Sequence, residues 1–266
     1  MTVDAVRQKW FLGVVVLSVA LLVSRPSFAQ KVASTVYEDI SFAVAPSATR
    51  AYVYGTWHFD VSNPGMYDIA RASALFEKAH TLDPAVPFLQ HQRARVAFLE
   101  GSYRVALERI DQEIAANPQS MSSYYVRGLV KGFVGDYKGA TEDYEVYLHT
   151  DPTNWAAIND YAWVLLKDTR PLDALAAVDW GLNHWPDNPW LLNSKATAHF
   201  ELGQLELAKE AAELAAVAVE NVSERDWLQA YPGNDPLIAA QGIEAFRTAV
   251  RNNMHSISLA LESTQK

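Results

Sequence analysis

The chain has 266 residues, half of them hydrophobic, and 22 Lys and Arg against 31 Asp and Glu give a net charge of −9. No basic stripe interrupts that acidity, which excludes nucleic acid as a partner, because binding phosphates takes clustered cations. The absence of cysteine excludes disulfides, zinc–thiolate sites, iron–sulfur clusters and cysteine nucleophiles.

The first predicted element is an export signal. Arg7 and Lys9 precede an apolar run from Trp10 to Val23, Arg25 and Pro26 break it, and Ser27-Phe28-Ala29 supplies small residues where a signal peptidase reads them. This is the architecture of a secretory signal spanning residues 1–29, with cleavage between Ala29 and Gln30. The run is shorter than the roughly 20 residues of a bilayer span; an uncleaved N-terminal anchor is the alternative. Cleavage removes three cations (Arg7, Lys9, Arg25) and one anion (Asp4), taking the net charge from −9 to −11. No second segment could span a membrane, so the mature chain is expected to be periplasmic or secreted, without membrane insertion.

Residues 30–46 come next. Ile40, Phe42 and Val44 alternate as in a short extended segment, and this stretch is expected to be an extended or flexible spacer; docking on the following domain is the other reading.

From residue 47 to 220 the sequence repeats. Pro84, Pro118, Pro152 and Pro186 are spaced by 34 residues, and each ends a helix-like run that proline cannot continue. Twelve residues before each proline stands Ala72, Ala106, Ala140 or Ala174, and eight before stands Phe76, Ile110, Tyr144 or Val178. Gly101, Gly135 and Gly203 mark turns in the same register. The pattern predicts helical hairpins: small alanines let antiparallel helices approach, glycine permits the turn, and the larger residue fills the space between units, which must stack to bury their apolar faces. Paired helices are predicted near 48–60 and 66–80, 86–99 and 103–116, 120–134 and 137–150, 154–168 and 171–184, and 188–202 and 205–219, with Asn154 and Asn188 as N-caps.

In this repeat the chain resembles the tetratricopeptide (TPR) family. Tyr124, Gly128, Gly135-Asp136-Tyr137, Ala140, Tyr144 and Pro152 fall where that family places its signature. The resemblance covers roughly residues 50–220, with departures at Ser62-Asn63-Pro64-Gly65, at Ala94 and at Thr169-Arg170-Pro171. It implies an all-α, right-handed superhelical solenoid of about five hairpins. Residues 221–266 complete it as a loop, Trp227 to Asn234, and a C-terminal capping helix with an apolar stripe of Ile243, Phe246, Val250, Ile257 and Leu261, Asp235 capping it and Pro236 at its first position. The same stripe offers a second reading, homodimerisation through the C-terminal helix.

Catalytic motifs are absent: there is no phosphate loop, no HExxH and no nucleophile elbow. His80, His149 and His184 suit the negative ends of their helices, and His58 with His91 makes a poor metal site. The chain is therefore expected to be no enzyme and to need no cofactor or metal. The family resemblance implies instead a groove lined by the first helix of each hairpin. Projecting the register puts Tyr54, Trp57, His91, Arg95, Tyr125, Leu129, Asn159, Trp163, Asn193 and Thr197 near that surface; the alternative for the aromatics is packing between units. The family's carboxylate clamp needs a lysine on these helices, and Trp57, His91, Tyr125 and Asn159 stand there instead. The expected function is an exported scaffold or adaptor that holds a peptide segment or partner protein in the groove. Eight tryptophans and twelve tyrosines support an alternative, a glycan-binding or polysaccharide-export scaffold.

Overall fold

The computed structural model describes residues 26–230 and 235–264, and every regular element among them is helical. Residues 1–25 of the expected signal lie outside the described residues. Among the described residues no helix is long and apolar enough to cross a membrane. The chain divides into two compact units, Met1–Val86 and Pro87–Lys266.

The first unit holds α1 (Pro26–Val44), α2 (Ala48–His58) and α3 (Ile69–Leu82). Residues 30–46 are thus not an extended spacer: most of them belong to α1, a helix that also runs across the expected cleavage point. The reason lies in Glu38 and Phe42, one helical turn apart, which are 0% and 4% exposed. Glu38 is a charge at a core position and breaks the apolar period that would have marked a helix. Its carboxylate accepts from His58 Nε2 at 2.9 Å and from Arg71 Nη2 at 3.1 Å. His58 Nδ1 lies 3.0 Å from the Met66 carbonyl. Arg50 closes the other end of α1 by donating to the carbonyls of Ser41 and Ala45.

The second unit holds four hairpins: α4 (Leu89–Leu99) with α5 (Tyr103–Ala116), α6 (Met121–Val134) with α7 (Tyr137–Thr150), α8 (Trp155–Lys167) with α9 (Pro171–His184), and α10 (Pro189–Glu201) with α11 (Leu205–Ala218). These bounds agree with the sequence expectation to within a few residues. The helices α3, α5, α7 and α9 stop two residues before Pro84, Pro118, Pro152 and Pro186. Ala72, Ala106, Ala140, Ala174 and Ala208 are all fully buried, as are Phe76, Ile110, Tyr144 and Val178. Asn154 and Asn188 accept from the first backbone N–H groups of α8 and α10, as expected of N-caps.

The four hairpin turns share one hydrogen-bond pattern. Gly101, Gly135 and Gly203 have φ of 73°, 86° and 71°. Each donates to the carbonyl three residues back, and its successor donates to the one five back. That is the left-handed C-cap of a helix, which favours glycine. Thr169 takes the fourth such position at φ 57°.

The unit ends with α12 (Glu224–Ala230) and α13 (Ala239–Thr264). Trp227 to Ala230 is helical rather than loop, because Trp227 is buried over Gly242, where a Cβ would lie 2.1 Å from its ring. Residues 231–234 lie outside the described set. Pro236 heads a 3-10 turn, Pro236–Ile238, before α13. Ile243, Val250 and Ile257 are buried against α10, α11 and the following turn. Three residues of the predicted stripe are therefore covered by the last hairpin of their own chain. Trp155 and Trp190 pack on each other at 4.9 Å. The indoles of Trp180 and Trp185 donate to the carbonyls of Pro152 and Thr153, each at 2.8 Å, and brace the connection between α7 and α8.

Candidate functional site

In the second unit the first helix of each hairpin repeats every 34 residues, so residues at matching steps fall in one row. Tyr125, Asn159 and Asn193 form one such row, and Leu129, Trp163 and Thr197 another. Five of these six, all but Thr197, line a groove of about 510 Å³. Phe98, Phe133, Trp190, Asp160 and Ser194 line it too, and Ala230 of α12 with Phe246 and Ala249 of α13 closes it on one side. His91 and Arg95 line a second cavity of about 310 Å³, which shares Phe98, Tyr125 and Leu129 with the first.

The walls are aromatic. Phe98, Phe133 and Trp163 form a chain with ring centres 5.0 Å and 5.7 Å apart. Across the groove Phe246 stacks on Trp190 at 4.6 Å with 9° between planes. The Trp190 indole N–H is buried without an acceptor.

The polar groups are held in place. Tyr125 donates its hydroxyl to Asp160 Oδ2 at 2.8 Å. Burial pushes the Asp160 carboxyl up to about 7, against hydrogen bonds from Tyr125 and Asn159 that pull it down. Burial, with the Asp160 charge beside it, raises the Tyr125 phenol well above its ordinary range. His91 is held down at about 3 by burial and the nearby charge of Arg95, so its ring is neutral, 3.0 Å from the Ser123 hydroxyl.

The two asparagines already use part of their bonding capacity. Asn159 Oδ1 accepts from the Ser194 hydroxyl at 2.9 Å. Asn193 Oδ1 accepts from Asn253 Nδ2 of α13 at 2.9 Å, and the same amide reaches the Thr197 hydroxyl at 3.3 Å. The cap therefore holds the Asn193 and Thr197 side chains at that end of the row.

Tyr54 and Trp57 do not continue this row. In the first unit Tyr54 is buried with Phe42 of α1 at 5.8 Å and Trp57 at 5.0 Å. The long turn between α2 and α3 shifts the register. Phe76 and Tyr144 lie two periods apart, yet Gly55 against Phe76 corresponds to Gly128 against Tyr144, five residues more than two periods. The counterpart of Tyr125 in the first unit is consequently Tyr52, whose ring is 6.0 Å from Phe76 as the Tyr125 ring is 5.7 Å from Tyr144.

Sequence reasoning missed Asp160, Phe98, Phe133 and Phe246. Asp160 had a visible signal: at its register step the neighbouring units carry Val126 and Ser194, so a carboxylate there is out of column. Phe246 entered only as part of the cap. His58 and His91 are each engaged by protein partners, and among the described residues no group of three or more His, Asp or Glu could hold a metal ion.

No protein-family model matches the sequence, and no curated protein matches it. Solved structures do match by fold. YrrB, described as a TPR protein with an unusual peptide-binding site, superposes with a TM-score of 0.57 at 14% identity, over 69% of this chain and 93% of its own. MamA MSR-1 gives 0.55 at 17% identity, over 65% and 99%. MamA from Desulfovibrio magneticus RS-1 gives 0.53 at 16%, over 64% and 93%. The repeated alanines, prolines and left-handed turns and these superpositions agree, and the chain has the fold of the tetratricopeptide repeat proteins.

Proposed function

We propose that this chain is an exported scaffold that holds a segment of a partner protein in the groove of its second unit. The observation that supports this reading is the row of Tyr125, Leu129, Asn159 and Trp163 on one cavity of about 510 Å³. Such a cavity accepts a few side chains, and apolar walls with few polar groups are the usual make-up of a recognition site. Among the solved structures of this fold, YrrB is described with a peptide-binding site, which supports a binding role for this groove. Export rests on the sequence signal alone: cleavage before Gln30 leaves Glu38 and Phe42, which anchor α1.

The test of the groove is Trp163→Ala in the mature chain. Partner capture by the variant is expected to fall about tenfold or more, as for an aromatic anchor, with helicity unchanged. Equal capture refutes the groove assignment, and saturable binding of envelope polysaccharides in place of a protein replaces it with the glycan reading. For export, the N-terminal residue of the envelope-derived protein is expected to be Gln30; recovery of the chain starting at its initiator end refutes cleavage.

A further inference from the structure

We propose that the groove selects a protein segment carrying a lysine or arginine flanked by apolar residues, with Asp160 receiving the cation; this rests on the groove reading above. Asp160 is the one charged side chain among the residues lining the larger cavity, and no Lys, Arg or His lines it. The other lining groups are aromatic, aliphatic or uncharged polar. A lone carboxylate among such walls is poorly solvated, and a cation brought to it restores the lost interaction at a site where water competes little. Tyr125 holds one oxygen, Oδ2, at 2.8 Å, which fixes the carboxylate in place.

The walls suit the rest of such a side chain. The methylene stem of lysine or arginine packs on apolar surface while its charged head reaches a partner. The Phe98–Phe133–Trp163 rings supply that surface, and a ring face also attracts a cation. An acidic segment would bring a second negative charge to Asp160 without any lysine or arginine in the cavity to receive it.

The experiment selects binders from a randomised nonapeptide library displayed on phage, using the mature chain from Gln30, the Asp160→Asn variant and the Trp163→Ala variant. Asparagine keeps an acceptor for Tyr125 and nearly the same volume, and circular dichroism and melting check its fold. The expected result is enrichment of peptides with Lys or Arg between apolar residues. Replacing that cation with norleucine, or Asp160 with Asn, should weaken binding about tenfold, and Trp163→Ala should weaken all selected peptides. Enriched peptides that need Trp163 but carry no basic residue, or bind Asp160→Asn equally, overturn the cation inference and leave the groove reading standing. Absence of any Trp163-dependent peptide overturns both. Displacement of the peptides by free spermidine at equal concentration shows a cation site without segment recognition and overturns the proposal of a peptide occupant.

Discussion

Thr169 holds the left-handed turn conformation that Gly135 holds one period earlier, at φ 57° against 86°. The surrounding hydrogen bonds are the same: Thr169 N–H donates to Leu166 and Arg170 N–H to Leu165, as Gly135 does to Gly132 and Asp136 to Lys131. The repeat dictates the conformation and the residue bears the cost, since a β-branched side chain in this region is disfavoured by about 1–2 kcal/mol.

Thr169→Gly should therefore stabilise the second unit. Glycine is looser in the unfolded chain, which offsets part of the gain, so a net of about 0.5–1 kcal/mol is expected in chemical denaturation. The reverse change, Gly135→Thr, should cost about 1 kcal/mol or more, although a Cβ at Gly135 would meet nothing within 4 Å. Equal midpoints for both variants would show that the backbone relaxes at these turns.

Glu38 ties α1 to its unit. With Glu38→Ala, His58 and Arg71 lose a carboxylate that is 0% exposed, and removing one partner of a buried ion pair costs about 3–5 kcal/mol. Hydrogen exchange should show α1 opening well before α3. Unchanged protection of Pro26–Val44 would place the anchor of α1 elsewhere, in Phe42.

Phe246→Ala should loosen the cap where it meets the groove. The ring stacks on Trp190 at 4.6 Å, and loss of a packed aromatic costs about 3 kcal/mol or less when it is only partly buried. A red shift of tryptophan fluorescence, with faster exchange in Ala239–Thr264, is expected; an unchanged spectrum would mean that Val250 and Ile257 hold the cap alone.

The Asp160 carboxyl, raised to about 7, sets two pH effects. The folded state holds a proton that the unfolded chain releases near the ordinary carboxylate value, so the contribution of Asp160 to stability is fullest below about pH 4 and is lost as pH rises towards 7. Asp160→Asn should remove that slope. Binding of a cationic peptide should run the other way, strengthening about tenfold from pH 6 to 8 as Asp160 ionises. Tyr125 and Tyr144, which face it from α6 and α7, are raised well above 10, and His91 is held at about 3, so none of them titrates in this window. A flat peptide affinity over this range in wild type contradicts the assignment of the cation to Asp160.

The repeat was legible because its signals are local and periodic. A proline stops a helix, a left-handed turn favours glycine, and an alanine at a helix crossing is needed in every unit, so the hairpins from Leu89 to Ala218 could be read from residues alone. The groove row of Tyr125, Leu129, Asn159, Trp163 and Asn193 followed from the same period. The failures have physical causes. A charged core residue, Glu38, hid the helical face of α1. Extra residues in the turn after His58 moved Tyr52, not Tyr54 or Trp57, into the position matching Tyr125. Asn193 and Thr197 could not be known to be engaged, because Asn253 reaches them from 60 and 56 residues away, a distance no period encodes. Asp160 went unnoticed because a carboxylate on a helix usually marks a solvated face.

The most direct measurement places a photocrosslinking amino acid at Leu129, in the groove, and separately at Leu172, 66% exposed on α9, in the mature chain within its native envelope. The scaffold account expects one defined protein adduct from position 129, mapped to a single segment of that partner, and none from position 172. Adducts from 172 alone, or the same set from both positions, would contradict a partner segment held in the groove.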